Sequence, residues 1–179
     1  NGSSSYYLIK GITGSGKTEV YIRLIKNALK SGEGSIFLVP EISLTPQMMD
    51  RLRREFSNNV ALLHSRLTTK ERKEEWYSIK SGNKKVVIGA RSAVFAPVQN
   101  LKYIILDEEH ETTYKQESNP RYHTKNVAIK RANLLENVKV ILGSATPSFD
   151  TYYQAKEGVI ELLELKNRYN DAKKPVYDL

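Results

Sequence analysis

Two short stretches carry residue types that could do polyphosphate chemistry. The first is Gly11-Ile12-Thr13-Gly14-Ser15-Gly16-Lys17-Thr18, which meets the pattern G-x-x-x-x-G-K-[ST] at every fixed position. Such a loop gathers backbone N–H donors around dense negative charge, and Gly11, Gly14 and Gly16 give it the freedom to wrap tightly. Lys17 can reach the β and γ phosphates as a point charge, and the Thr18 hydroxyl can serve Mg²⁺. The second is Asp107-Glu108-Glu109-His110, directly after Ile104-Ile105-Leu106. There Asp107 would hold Mg²⁺ through water, and Glu108 would orient and help deprotonate an attacking water. Alone, this quartet reads as a solvated acidic turn. After an apolar strand, in a chain with a phosphate loop, it reads as the other half of a site.

These residues need elements to position them. Tyr6-Tyr7-Leu8-Ile9 reads as a buried strand entering the loop. Val20, Leu24 and Ala28 form a helical stripe after it, with Tyr21, Ile25 and Leu29 alongside, and Gly32 and Gly34 stop that helix. Its N-terminal dipole would face the same anion. Further apolar runs at 35–39, 60–63, 86–88, 103–106, 138–142 and 159–165 read as strands. Thr45-Pro46 predicts a helix start, with Met48 and Met49 as core filler before Leu52 and Phe56. Thr68 and Glu71 predict a capping box, with Trp76 and Ile79 on the inner face of the helix that follows. Thr146-Pro147 reads as another cap and first turn. Short continuous apolar runs separated by helices imply an α/β fold whose mostly parallel sheet is covered on both faces.

The only long irregular stretch lies between His110 and Thr124, where a functional or disordered loop is expected. It interleaves Tyr114, Lys115, Arg121, Tyr122 and His123. Aromatic rings can stack on exposed bases while cations track phosphates.

Composition narrows the classes. A length of 179 residues suits one domain, read as 6–179 after a low-information start, 1–5, that is a scar or disordered. There is no cysteine, so disulfides and a thiolate zinc site in this chain are excluded. No apolar run approaches ~20 residues and no leader is visible, so a cytoplasmic protein with no membrane partner is expected. The net charge of +8 suits a phosphate-rich partner, although surplus lysine also aids solubility. Three basic clusters contribute: Arg51 with Arg53 and Arg54, Lys80 with Lys84 and Lys85, and the stretch 115–131.

The acidic quartet resembles the DEAH-type box of superfamily 2 helicases. GITGSGKTEVY (11–21), LVPEISLTPQ (38–47), ALLHS (61–65), VVIGARSAVFAP (86–97), IILDEEH (104–110), TYKQESNPRYH (113–123) and LGSATPS (142–148) together resemble, more narrowly, the first lobe of bacterial replication-restart helicases of the PriA type, or primosomal protein N′. The resemblance implies a three-layer RecA-like lobe with a mostly parallel sheet, binding ATP and Mg²⁺ in an ATP-driven helicase that unwinds forked DNA. It implies DNA contacts at Pro40, Glu41, Thr45, Gln47, Arg91 and Ser92, and a DNA-sensing aromatic loop over Tyr114, Lys115, Arg121, Tyr122 and His123. His110, Ser144, Ala145 and Thr146 would couple hydrolysis to movement.

It also implies partners beyond DNA, namely primosome proteins and single-strand-binding protein, and a zinc segment elsewhere in the intact protein. The family's adenine-reading glutamine, its zinc segment and its second lobe have no counterpart here, and Lys173-Lys174-Pro175-Val176-Tyr177-Asp178 resembles the exit toward that lobe. The chain is therefore expected to be a monomeric fragment that hydrolyses ATP very poorly alone, since an arginine finger is worth about 10³–10⁵ in rate. Two readings stay open beside this one: another nucleic-acid-dependent NTPase of the superfamily (an RNA helicase or restriction motor), and a non-catalytic module that binds nucleotide or DNA.

Overall fold

The computed structural model describes residues 5–166. The opening 1–4 and the exit segment around Lys173 lie outside the described residues. In chain order the elements are β1 Tyr6–Gly11, α1 Lys17–Lys30, β2 Gly34–Leu38, α2 Pro46–Phe56, β3 Val60–Leu63, α3 Thr69–Lys80, β4 Val86–Gly89, β5 Leu101–Leu106, β6 Lys115–Gln116, β7 Tyr122–His123, α4 Thr124–Leu134, β8 Lys139–Ser144, α5 Phe149–Lys156 and β9 Glu161–Leu165. Seven strands form one sheet in the order β3-β4-β2-β5-β8-β1-β9, and every pairing in it is parallel. The apolar runs thus become strands, as expected of a sheet buried on both sides.

Alternation along the strands divides the core. Phe37, Val39, Ile105 and Ile141 join Tyr21, Ile22, Ile25, Met49 and Leu52 on the face covered by α1 and α2. Ile36, Leu38, Ile104, Leu106, Val140 and Leu142 point to the other face, among Ile79, Ala128 and Ala132 of α3 and α4. Removing one such side chain from water contributes about 1.5–3 kcal/mol, so the covered sheet is a rigid base for whatever its ends carry. The deepest stripe of α1 is Tyr21, Ile22, Ile25 and Ala28, while Val20 and Leu24 are half-buried beside it.

Helix starts follow local chemistry. Thr45 Oγ1 accepts from the Met48 N–H at 3.2 Å with Pro46 in the first turn. Thr68 and Glu71 close the capping box in both directions. Three expectations need correction. Trp76 is 37% exposed, because the inner stripe of α3 runs through Ile79 with Glu75 and Ser78, leaving the ring on its rim. The cap of α5 is Ser148, which accepts from the Thr151 N–H, and not Thr146. The 110–124 stretch is not an irregular loop. A 3₁₀ turn over Thr112–Tyr114 leads into the antiparallel hairpin β6–β7, which pairs Lys115 with His123 and Gln116 with Tyr122.

Among the described residues, no helix is long and apolar enough to cross a membrane.

Candidate functional site

Strand order decides which motifs meet. At the carboxyl edge of the sheet, β5 leads into Asp107, its neighbour β8 ends in Ser144, and β8's other neighbour β1 ends in Gly11. The acidic quartet is therefore one strand away from the phosphate loop, and the Ser144-Ala145-Thr146 segment lies between them. On the other side of β5 come the ends of β2 and β4, which lead into Pro40-Glu41 and Arg91-Ser92. Chemistry that the sequence scatters over more than a hundred positions thus forms one edge.

The phosphate loop is built for an anion. Gly14 and Gly16 adopt positive φ (79° and 90°), and Gly16 is the N-cap of α1 with no side chain closing that terminus. The N-termini of α2, α3, α4 and α5 are closed by the side chains of Thr45, Thr68, His123 and Ser148. Among the described α-helices, only α1 has no side-chain cap on its first N–H groups, as a phosphate site requires. The Ser15 hydroxyl is buried without a hydrogen-bond partner, a further polar group available to a ligand. Ile12 and Thr13 are exposed at the rim of the loop, and Thr18 is half-buried in the first turn of the helix. Lys17 is 7% exposed; its Nζ donates to the Gly11 carbonyl at 2.7 Å and sits 3.8 Å from Glu108 Oε1.

The acidic turn is gripped from several directions. Tyr21 Oη donates to Asp107 Oδ1 at 3.2 Å, and Tyr114 Oη donates to the Asp107 carbonyl at 2.7 Å. Burial, then the Glu108 charge, push the Asp107 carboxyl up to about 6, against Lys17 and the Tyr21 hydrogen bond. Burial also pushes the Tyr21 phenol up, with the Asp107 charge adding to it, so this hydroxyl stays a proton donor. Glu108 has φ 48°, a left-handed conformation that a side-chain-bearing residue keeps only when its surroundings enforce it. A β-carbon on Gly143 would lie 1.7 Å from Tyr21 Oη, so this close approach admits only glycine. His110 Nδ1 is 2.7 Å from Ser144 Oγ, which also accepts from the Thr146 N–H, and 3.7 Å from Glu108 Oε2. The expected coupling residues His110, Ser144 and Thr146 are thus in direct contact, with half-buried Ala145 between the last two in sequence.

Thr18 and Asp107 fit Mg²⁺ in type, a hydroxyl and a carboxylate, and the remaining positions would fall to phosphate and water.

A second feature is a groove of about 650 Å³ lined by Pro40, Glu41, Arg91, Ser92, Phe95, Thr113, Tyr114, Gln116, Pro120 and Tyr122, with Val39 and Ala90 at its floor. It unites three stretches that sequence alone kept apart. The structure revises some of their roles. Tyr114 is 1% exposed and bonded to Asp107, so its ring cannot stack on a base. Arg91 spends Nη1 on the Thr113 and Lys115 carbonyls (3.0 and 2.9 Å), anchoring the hairpin. His123 caps α4 by accepting from the Lys125 N–H at 3.2 Å, and burial, then Lys125, hold its ring below the usual histidine range. Glu41 accepts from the Ser65 N–H at 3.0 Å, and Thr45 is occupied as a cap. Gln47, Ser92, Lys115 and Arg121 are exposed, and Tyr122 packs edge-on against Phe95 with centroids 5.0 Å apart. Phe95, Thr113, Gln116 and Pro120 are groove residues that sequence reasoning missed; only its 47% exposure distinguishes Phe95 from a core aromatic.

Comparison with known proteins agrees with this layout. Residues 3–155 match the family model described as DEAD/DEAH box helicase. The chain is 52% identical over 173 residues to Replication restart protein PriA of Bacillus subtilis, covering 97% of this chain and 21% of that protein. It is 45% identical over 162 residues to the PriA of Haemophilus influenzae, covering 90% and 22%. The chain therefore spans about a fifth of the length of these relatives. Among solved structures, RecG bound to a three-way DNA junction superposes with a TM-score of 0.68 at 25% identity, over 98% of this chain and 22% of that one. The Pyrococcus furiosus Hef helicase domain shares the fold, with a TM-score of 0.66 at 20% identity over 93% of this chain and 36% of that one.

Proposed function

This chain belongs to the DEAD/DEAH box helicase family, and from that premise we propose that residues 6–179 form the ATP-binding lobe of a DNA helicase acting in replication restart. The observation that carries the reading is the shared sheet edge, where an uncapped helix N-terminus, Lys17, Asp107 and Glu108 converge beside a groove lined by Pro40, Arg91 and the hairpin. Lys17 holds the transferred phosphate. Glu108, 3.8 Å from Lys17, orients the attacking water and accepts its proton. Asp107 is kept in place by the two tyrosine hydroxyls; Thr18 and Asp107 would hold Mg²⁺, which would supply positive charge beside the phosphate oxygens. His110 and Ser144 report the state of this site toward the groove. There Tyr122 and Phe95 face the bases, and Arg121 and Lys115 the phosphates, of single-stranded or forked DNA. In this reading the intact protein is bacterial and cytoplasmic, carries zinc in another segment, and works with primosome proteins and a single-strand-binding protein.

The test is ATP hydrolysis by the intact gene product without nucleic acid and with single-stranded DNA, forked DNA or RNA. Stimulation by DNA that falls to background in Lys17→Ala supports the reading. Stimulation by RNA alone, or by nothing, overturns it.

A further inference from the structure

The reaction outlined above leaves one buried polar cluster unused. Glu109, 3% exposed, points away from the phosphate loop into the start of α5. Its Oε1 accepts from the Ser148 N–H at 2.7 Å, and its Oε2 accepts from Thr151 Oγ1 at 2.9 Å, with Ser148 Oγ at 3.2 Å. Thr151 is fully buried, and its oxygen also accepts from Lys125 Nζ at 3.1 Å. Lys125, 9% exposed, binds Asp150 Oδ2 at 2.7 Å as well. It lies in the first turn of α4, two residues after the β7 residue His123 that caps that helix. One hydroxyl therefore bridges a cation next to the DNA hairpin and a carboxylate next to Glu108. Burying this many charges costs several kcal/mol that an apolar packing would avoid, so stability alone does not account for it.

We propose that Lys125, Thr151 and Glu109 form a positioning strut through which the hairpin sets the attitude of the water-orienting turn at Glu108. The strut rests on the proposed DNA-dependent ATPase reading and deepens it. A shift of β7 moves the first turn of α4. Lys125 then carries that movement to Thr151, whose proton is committed to Glu109. Glu109 in turn is fixed to β8, its N–H donating to the Gly143 carbonyl at 3.0 Å. The left-handed backbone at Glu108 is one residue away, so a small displacement re-aims its carboxylate. Glu109 does not itself touch the reacting atoms.

The experiment uses the intact protein with Thr151→Val, which keeps shape and removes the bridging hydroxyl, Thr151→Ser, which restores it, and Lys125→Met. ATP turnover is measured with and without saturating single-stranded DNA, alongside DNA affinity and thermal midpoint. Thr151→Val and Lys125→Met are expected to lower the ratio of DNA-stimulated to DNA-free turnover about fivefold or more, the lower end of ordinary coupling strengths. DNA-free turnover, DNA affinity and folding are expected to hold, and Thr151→Ser is expected to recover the ratio. A ratio within twofold of the unsubstituted protein overturns the strut. Equal loss of both rates, or a loss explained by weaker DNA binding, overturns it too. If the unsubstituted protein is not stimulated by DNA, the functional reading itself fails, and the strut with it.

Discussion

Asp107 is a carboxyl placed where burial and the neighbouring Glu108 disfavour its charge. It ionises near 6 in the fold against 3.8 as its ordinary value. Between those values the folded chain keeps a proton that the unfolded chain has released, so stability falls as pH rises through that window, and the full penalty persists above 6. About two units correspond to roughly 3 kcal/mol. Asp107→Asn removes the charge while its amide oxygen can still accept from Tyr21. Without nucleotide or Mg²⁺, this variant is expected to unfold at a higher temperature than the parent at pH 7.5, and the gap is expected to close as pH is lowered from 6 toward 4. Under the proposed function, the same change in the intact protein is expected to abolish Mg²⁺-dependent hydrolysis. Thermal unfolding at the two ends of that range checks the sign: a variant less stable at pH 7.5 refutes it.

At the scale of elements, the capping box of α3 gives a prediction free of the chemistry. Thr68 Oγ1 accepts from the Glu71 N–H at 3.2 Å, and the Glu71 carboxylate accepts from the Thr68 N–H at 2.8 Å. Losing such a cap costs about 1 kcal/mol, which in a domain of this size lowers the melting temperature by about 2–4 °C. Thr68→Ala should show that shift with DNA-stimulated hydrolysis unchanged. The helix lies beside β3, at the edge of the sheet remote from the phosphate loop. Caps of this kind were legible in the sequence because two residues at a fixed spacing carry the whole signal. Most of the strands were legible because burial on both faces makes them continuously apolar, the largely exposed edge strand β9 being the exception. Other features had no local signature. Strands β6 and β7 are two residues long, too short for any periodicity. Tyr114 looks like its neighbour Tyr122 until the fold buries one and half-exposes the other. Glu109 reads as one more charge in an acidic run, and only the arrival of α5 gives it three donors. The phosphate loop and acidic quartet were readable in full, but their adjacency depended on β8 lying between β1 and β5.

The whole molecule shows where the net charge of +8 is available. Four of the six cations in two of the three basic clusters have partners within the chain, Arg51 and Arg53 in exposed pairs of little strength. Arg51 pairs with Glu19, Arg53 with Asp50, and Lys84 with Glu75, while Lys85 donates to the Gly32 carbonyl. On the hairpin, Arg121 is exposed beside the groove, and Lys115 meets only Glu117 at 3.5 Å in an exposed pair of little strength. Counterion release should therefore be governed by the hairpin rather than by total charge. For single-stranded DNA, each phosphate neutralised contributes about 0.7 to the slope of log affinity against log salt. Arg121→Ala in the intact protein is expected to flatten that slope by about 0.7, while Arg53→Ala, of equal formal charge, is expected to leave it within error. Titrations of DNA at several salt concentrations decide the matter. Equal slope changes for the two variants would mean that the chain attracts DNA through its overall charge, and the groove would lose its claim to be the path of the strand.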